Sequence, residues 1–168
     1  VIQIKRATAD HIDGINKVCS DGYRDTYHET HSKEYIERII TEFYNHDRIL
    51  DEVTHTNEGW DGWFVALEED HVVGAIGGGS VGESESEVFV LYLDPGRRGE
   101  GIGTKLLEAL TEVQRQKGAS KQWVSVAKGN MKGIPFYEAR KFALVKEQKS
   151  FANMDNEEYT SLRYCRAI

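Results

Sequence analysis

The 168-residue chain holds only two cysteines, Cys19 and Cys165, far apart in sequence. Two thiols allow at most one bridge, so the disulfide framework of a small secreted domain is excluded. A reducing, cytoplasmic setting is the simpler expectation. No segment approaches the roughly 18 consecutive apolar residues of a membrane span, and the opening "VIQIKRATADH" lacks the apolar stretch of a signal peptide. No membrane partner is expected. Positive charge is also scarce: 21 Lys and Arg stand against 28 Asp and Glu, a net charge of -7. Neutralising phosphates non-specifically requires a positive field, so no nucleic-acid partner is expected, and a cationic partner suits the chain better. Metal ligands are sparse as well. His28 and His31 are followed by no third ligand at a recognisable spacing, so no metal site is expected. The length fits one compact domain over residues 1–168, with no internal repeat and no linker.

What is present alternates strands with helices. Residues 1–7 alternate around Ile2 and Ile4 as a strand, and Thr8 opens a helix with Ile12, Ile15 and Val18 on one face. Residues 31–50 carry Tyr35, Ile36, Ile39, Ile40, Phe43 and Tyr44 at helical spacing behind Ser32 as a cap, which predicts a second helix. Residues 63–67, the turn "EED" and residues 71–76 read as an antiparallel hairpin. "GGGSVGESESE" has the composition of a flexible connection, and it leads into "VFVLYL", an apolar run suited to a strand buried on both faces. Further on, Ile102, Leu106, Ala109, Leu110 and Val113 line one helical face that Gly118 ends, and "QWVSVA" supplies the next strand. Strand, helix and strand in so short a span predict a βαβ unit with parallel strands. A helix over 131–140, a strand over 143–149 and a last strand over 159–165 complete an α/β fold with a mixed sheet.

Between the "VFVLYL" strand and its helix lies a knot of glycines at 99, 101 and 103. Glycines let backbone N–H groups converge, and the helix that follows adds its positive end, so the knot reads as a cradle for an anion, most naturally phosphate. A P-loop pattern begun at Gly96 and Gly101 puts Ile102 and Gly103 where Lys and Ser or Thr are required. The dinucleotide fingerprint fails on the spacing of its third glycine.

The pattern that remains, in "LYLDPGRRGEGIGTKLLEAL", resembles the acetyl-CoA pyrophosphate loop of the GNAT N-acetyltransferase family, with its preceding strand and following helix. The resemblance implies the family's α/β fold: a mixed sheet of about six or seven strands, a parallel βαβ unit and about four flanking helices. It also implies acetyl-CoA as co-substrate. Leu91, Tyr92 and Leu93 would then line the cofactor on the strand, and a backbone N–H within residues 90–93 would meet the oxyanion. The amides of Arg98, Gly99, Glu100, Gly101, Ile102, Gly103 and Thr104 would wrap the pyrophosphate, with Arg97 and Arg98 adding charge-assisted contacts. "KGNMKGIPFYEARKFALVKE" resembles the family's downstream segment. There Asn130 would open a helix and contact the pantetheine arm, followed by the aromatic pair Phe136 and Tyr137 and then Phe142. Lys141 departs from the family's glycine, and a left-handed conformation suits Lys less well. The resemblance covers residues 63–150.

Moving an acetyl group from a thioester to an amine takes a neutral amine, a donor for the developing oxyanion and a proton for the departing thiolate. By the resemblance Tyr137 is the acid; the alternative is a core tyrosine whose hydroxyl bonds to backbone. Glu87 is the base in some family members, directly or through water; the alternative is an exposed carboxylate closing a loop. Neither cysteine falls in the matched motifs, which favours direct attack in a ternary complex. Tyr23, Tyr27 and Glu29 lie where the family builds its acceptor pocket, and aromatics with a carboxylate suit an amino group; the two tyrosines alternatively form a core-packing helix face. The expected reaction is N-acetylation of a primary amine, with a small cationic acceptor favoured by the acidic balance. A non-catalytic acyl-CoA-binding sensor or scaffold and a protein N-acetyltransferase stay open, as does a homodimer through sheet edges.

Overall fold

The computed structural model describes residues 1–168. Its strands are β1 (Gln3–Arg6), β2 (Trp63–Glu68), β3 (His71–Gly82), β4 (Glu85–Leu93), β5 (Lys121–Ala127), β6 (Ala143–Lys149) and β7 (Thr160–Ala167). Its helices are α1 (Ile12–Tyr27), α2 (Lys33–Phe43), α3 (His46–Thr54), α4 (Ile102–Gln116) and α5 (Gly133–Ala139), with a 3-10 turn at Ala9–His11 ahead of α1. The sheet order is β1-β2-β3-β4-β5-β7-β6. Only β4 and β5 run parallel, joined through α4 as the βαβ pattern predicts.

Period-two alternation in β2 divides the core. Phe64 and Ala66 pack with Leu106, Leu107 and Leu110 of α4, while Trp63, Val65 and Leu67 pack with Ile12, Ile15 and Cys19 of α1 and Ile49 of α3. Helices therefore cover both faces of the sheet, and successive residues of one strand serve opposite cores. Cys19 is fully buried in the second of these cores and Cys165 lies partly buried on β7; both thiols are free.

Two expectations need correction. The helical stretch over 31–50 is two helices, because Asn45 takes an extended conformation and its side chain accepts from Arg48 N at 2.9 Å, starting α3 afresh. With five α-helices and seven strands the fold is the α/β mixed sheet expected. The glycine run at 77–82 is also no flexible connection: β3 extends through it to Gly82. The chain ahead of β2 packs on it, with Asp61 N donating to Gly78 O at 2.7 Å and Ser80 N to Glu58 O at 2.9 Å. A Cβ at Gly79 would stand 2.0 Å from Gly59 O, so glycine here serves close approach of two backbones.

Lys141 does adopt the left-handed conformation, at φ 75°. Its backbone N–H closes the end of α5 onto Glu138 O, which fixes the conformation whatever the side chain. Lys141→Gly is expected to stabilise the protein by about 1 kcal/mol, the cost of a Cβ in that region, and to raise Tm by about 2–4 °C. A thermal melt checks it.

Candidate active site

The site arises where β4 parts from β5. Parallel pairing covers only Glu85 to Val88 against Lys121 to Val124. Beyond that point β4 stays with β3 and β5 stays with β7. The parting coincides with a bulge: Gly77 faces Val90 and Gly78 faces Val88, leaving Phe89 without a partner on β3. A bulge bends its strand and interrupts the hydrogen-bond ladder. The residue left out of the ladder is thus Phe89, one position ahead of the stretch 90–93 expected to meet an oxyanion.

A groove of about 150 Å³ follows the parted strands. Leu91, Tyr92 and Leu93 of β4, Ser125 of β5, Arg98 and Gly103 of the glycine loop, and Asn130, Phe136 and Tyr137 around α5 line it. Gly99 and Gly101 take φ of 80° and 79°, where a side chain would be strained. Gly101 caps α4 without a side-chain hydrogen bond, and the helix's bonding begins with Lys105 N to Gly101 O at 3.1 Å. The first-turn amides of Ile102, Gly103 and Thr104 therefore have no acceptor within the helix, and they lie at its positive end. Ile102 offers only its backbone, since its side chain is in the core. A Cβ at Gly103 would stand 3.1 Å from Phe136 Cε1, closing the space beside the loop. Free amides, left-handed glycines and an adjoining groove fit the diphosphate and arm of a coenzyme A thioester.

The side chains around the cradle have partners of their own. The Arg97 guanidinium is bidentate to Glu68, at 2.8 Å on both oxygens, and also bonds Glu100 Oε2 at 2.8 Å. These two carboxylates raise the Arg97 pKa, and neither the Arg97 nor the Glu100 side chain is free for an anion. Arg98 is exposed beside the groove. The Thr104 hydroxyl accepts from Arg140 Nε at 3.2 Å, and Arg140 lies over the Phe136 ring at 3.7 Å. Asn130 Oδ1 accepts from Lys132 N at 3.1 Å and Gly133 N at 2.8 Å, so the residue caps the start of α5 while lining the groove. Glu29 stands outside both cavities, its side chain 84% exposed beside His28, just past the end of α1.

Tyr137 is buried, with its ring edge-on to Phe136 at 5.1 Å and Phe142 at 5.3 Å. Burial pushes its hydroxyl pKa well up, with the Tyr27 ring next in effect and no hydrogen bond among the causes. The residue lines the groove, and its hydroxyl makes no hydrogen bond within the protein.

A second cavity, of about 640 Å³, lies between the sheet and the three N-terminal helices. It shares Tyr27, Val88, Phe89, Val90, Tyr92 and Ser125 with the groove, so the two meet at the bulge. Tyr23, Tyr35, Tyr44 and Trp60 form much of its wall, and Asp51, Glu52 and Glu87 bring carboxylates to it. Tyr23 sits 4.5 Å from Tyr27 and 6.0 Å from Tyr92 between ring centroids, both packing in the core and facing the cavity. Burial raises the pKa of Tyr23, Tyr27, Tyr44 and Tyr92, keeping these phenols neutral. For Tyr27 the approach of the Tyr92 and Asn130 side chains partly opposes that rise.

Glu87 lies 2.8 Å from Arg163 Nη1 with both side chains largely covered, at 14% and 15% exposure, so it is no open loop carboxylate. Arg163 also donates to Ser125 Oγ at 2.9 Å and lies over Trp123, tying Glu87 across to the neighbouring strands. Sequence reading missed Arg163, which has no local motif, and missed the segment between β6 and β7. That segment docks on α2 through Arg38–Glu157 at 2.6 Å, and the Tyr159 ring stacks on His31 at 4.0 Å. His31 is thus a wall residue, and no three His, Cys, Asp or Glu side chains converge as a metal site would require.

The acetyltransferase (GNAT) family model matches residues 20–142. The chain belongs to that family. It is an acetyltransferase, with acetyl-CoA as its co-substrate. A curated spermidine N(1)-acetyltransferase from Thermoplasma acidophilum is 25% identical over 136 residues, 81% of this chain and 84% of that protein. The crystal structure of the PaiA N-acetyltransferase from Thermoplasma acidophilum, solved in complex with coenzyme A, superposes with a TM-score of 0.83 at 22% identity, covering 100% of this chain and 99% of that one. A GCN5-related N-acetyltransferase from Rhodopseudomonas palustris follows at 0.79 and 14% identity, over 99% and 95% of the two chains.

Proposed function

We propose that this acetyltransferase acetylates a primary amine on a small cationic molecule, by direct attack within a ternary complex. The observation that carries the reading is the Tyr137 hydroxyl, unpartnered in the protein, on a residue that lines the groove adjoining the anion cradle. Bound acetyl-CoA supplies an acyl group activated as a thioester. Within that frame Glu87 takes the proton of the incoming ammonium, directly or through water. The main chain freed at the β4 bulge donates to the carbonyl oxygen as charge builds there. Tyr137 hands its proton to the departing sulfur. Burial penalises a tyrosinate and a thiolate alike, so the raised pKa of Tyr137 does not by itself oppose this transfer, and it keeps the acid protonated throughout the neutral range.

The acceptor assignment rests on the larger cavity. Its neutral tyrosines present π-faces to an ammonium group, and its carboxylates supply the opposite charge. Its volume suits a small molecule. The spermidine specificity of a curated relative points in the same direction, toward a polyamine-like acceptor. A panel of polyamines, amino acids, aminoglycosides and short peptides, assayed for acetyl-CoA-dependent thiol release, tests the reading. The expected result is turnover with polyamines at the highest kcat/KM. Turnover confined to peptides sinks the small-molecule assignment, and acetyl-CoA binding without turnover on any amine sinks the catalytic one.

A further inference from the structure

Beside the bulge of β4 lies a chain of buried polar groups that the transfer steps above leave unused. Gln114 of α4 and Gln122 of β5 have no exposure, and Asp61, ahead of β2, has 1%. Buried polar groups persist where their donors and acceptors are paired. Gln114 Nε2 donates to Asp61 Oδ2 at 3.2 Å and to the main-chain carbonyl of Glu87 at 3.1 Å, and Gln114 Oε1 accepts from Gln122 Nε2 at 2.9 Å. The ends of the chain are anchored by Lys117 Nζ on Asp61 Oδ1 at 2.6 Å and by Arg166 Nε on Gln122 Oε1 at 2.8 Å. Every polar atom of the Gln114 carboxamide thus has a fixed use, which holds the side chain in one orientation.

The Glu87 carbonyl sits immediately before the strand's irregularity. Glu87 pairs with Gly79 and Val88 with Gly78, and the next residue is the unpaired Phe89. Gly78 leaves room for that oxygen: a Cβ there would stand 2.2 Å from it and 3.0 Å from Gln114 Nε2. The carbonyl is gripped between a glycine of β3 and a side chain of α4, one residue from where β4 leaves β5.

We propose that Gln114 is a positioning residue for acetyl transfer: by holding the Glu87 carbonyl it fixes the bulge of β4, and so aims the Glu87 carboxylate and the Phe89 main chain at the junction of the two cavities. The inference rests on the reading of Glu87 and the bulge as parts of the transfer site. Gln114→Leu removes the hold on the carbonyl. Gln122→Leu cuts the same buried chain one member further out and leaves the Gln114–Glu87 bond standing. These variants and Glu87→Gln are compared with the unaltered protein for kcat and KM on the amine found active, for the calorimetric dissociation constant of coenzyme A, and for thermal melting.

At a temperature where both glutamine variants are folded, kcat of Gln114→Leu is expected to lie at least about tenfold below that of Gln122→Leu, with coenzyme A affinity unchanged. Equal kcat in the two, with Glu87→Gln impaired, overturns the positioning role and leaves the reading of Glu87 intact. A deficit in Gln114→Leu beside an unimpaired Glu87→Gln supports positioning of the main chain and removes Glu87 as the base. Should Gln114→Leu not fold, Gln114→Glu replaces it. The near-isosteric carboxyl accepts from Gln122 and can donate to the Glu87 carbonyl only when protonated. Its kcat relative to the unaltered protein, corrected for the folded fraction, then falls as pH rises; a ratio flat with pH overturns the inference.

Discussion

Tyr137→Phe is expected to lower kcat by about 10²- to 10⁴-fold, the usual worth of a placed general acid, while the dissociation constant of coenzyme A and the melting temperature stay near those of the unaltered protein. The reasoning is geometric. The change removes one oxygen that bonds to nothing in the protein and leaves the ring between Phe136 and Phe142. A structural tyrosine would show the reverse, lost stability with turnover intact. Because burial holds the Tyr137 pKa above its ordinary value near 10, no loss of rate from its ionisation is expected up to about pH 10. A fall in kcat centred near pH 8 that vanishes in Tyr137→Phe would contradict the environment described above. Steady-state kinetics over pH with both proteins, alongside calorimetry, provide every quantity needed.

The parts of this site that were legible in the sequence are those whose physics is local. Residues 102–113 repeat at helical spacing because α4 lays one face on the sheet, and the glycines at 99, 101 and 103 announce a backbone cradle whatever lies around them. Lys141 was not legible in this way: the residue type argues against the left-handed conformation that the chain adopts there. Nor was the glycine run at 77–79. Composition says that glycine permits flexibility, whereas here it permits the 57–61 backbone and a Gln114 side chain to come close, and those partners are distant in the chain. The cover over Glu87 was not legible either, because its partner Arg163 stands on the last strand. Glu29 followed the logic of its neighbours Tyr23 and Tyr27 but sits past the end of α1 with its side chain in solvent. The acceptor cavity as a whole draws on three helices, five strands and the β6–β7 segment, so no single motif could have outlined it.

Arg97 and Arg98 show the same division within two adjacent letters, and they separate by experiment. Arg98→Glu is expected to raise the KM and dissociation constant for acetyl-CoA by about 10- to 100-fold or more, since a charge-assisted bond is worth about 1.5–3 kcal/mol and the new carboxylate adds repulsion. Stability should change by less than about 0.5 kcal/mol, because an exposed side chain without partners carries little of it. Arg97→Ala should behave in the opposite way. It releases Glu68 on β2 and Glu100 in the loop from one guanidinium, loosening the tie that holds the loop to the sheet. Solvent-screened pairs of this kind contribute little each, so melting should drop by no more than a few degrees. Acetyl-CoA affinity should fall less than in Arg98→Glu, because the Arg97 guanidinium is already held by Glu68 and Glu100. Equal losses of affinity in both variants would mean that Arg97 leaves its carboxylates when the donor binds, and the clamp would then be a resting arrangement of the loop. The salt dependence of binding decides between the two: direct pairing with phosphate weakens steeply as salt screens it, whereas a loop merely less well held binds more weakly by a factor that salt leaves nearly constant.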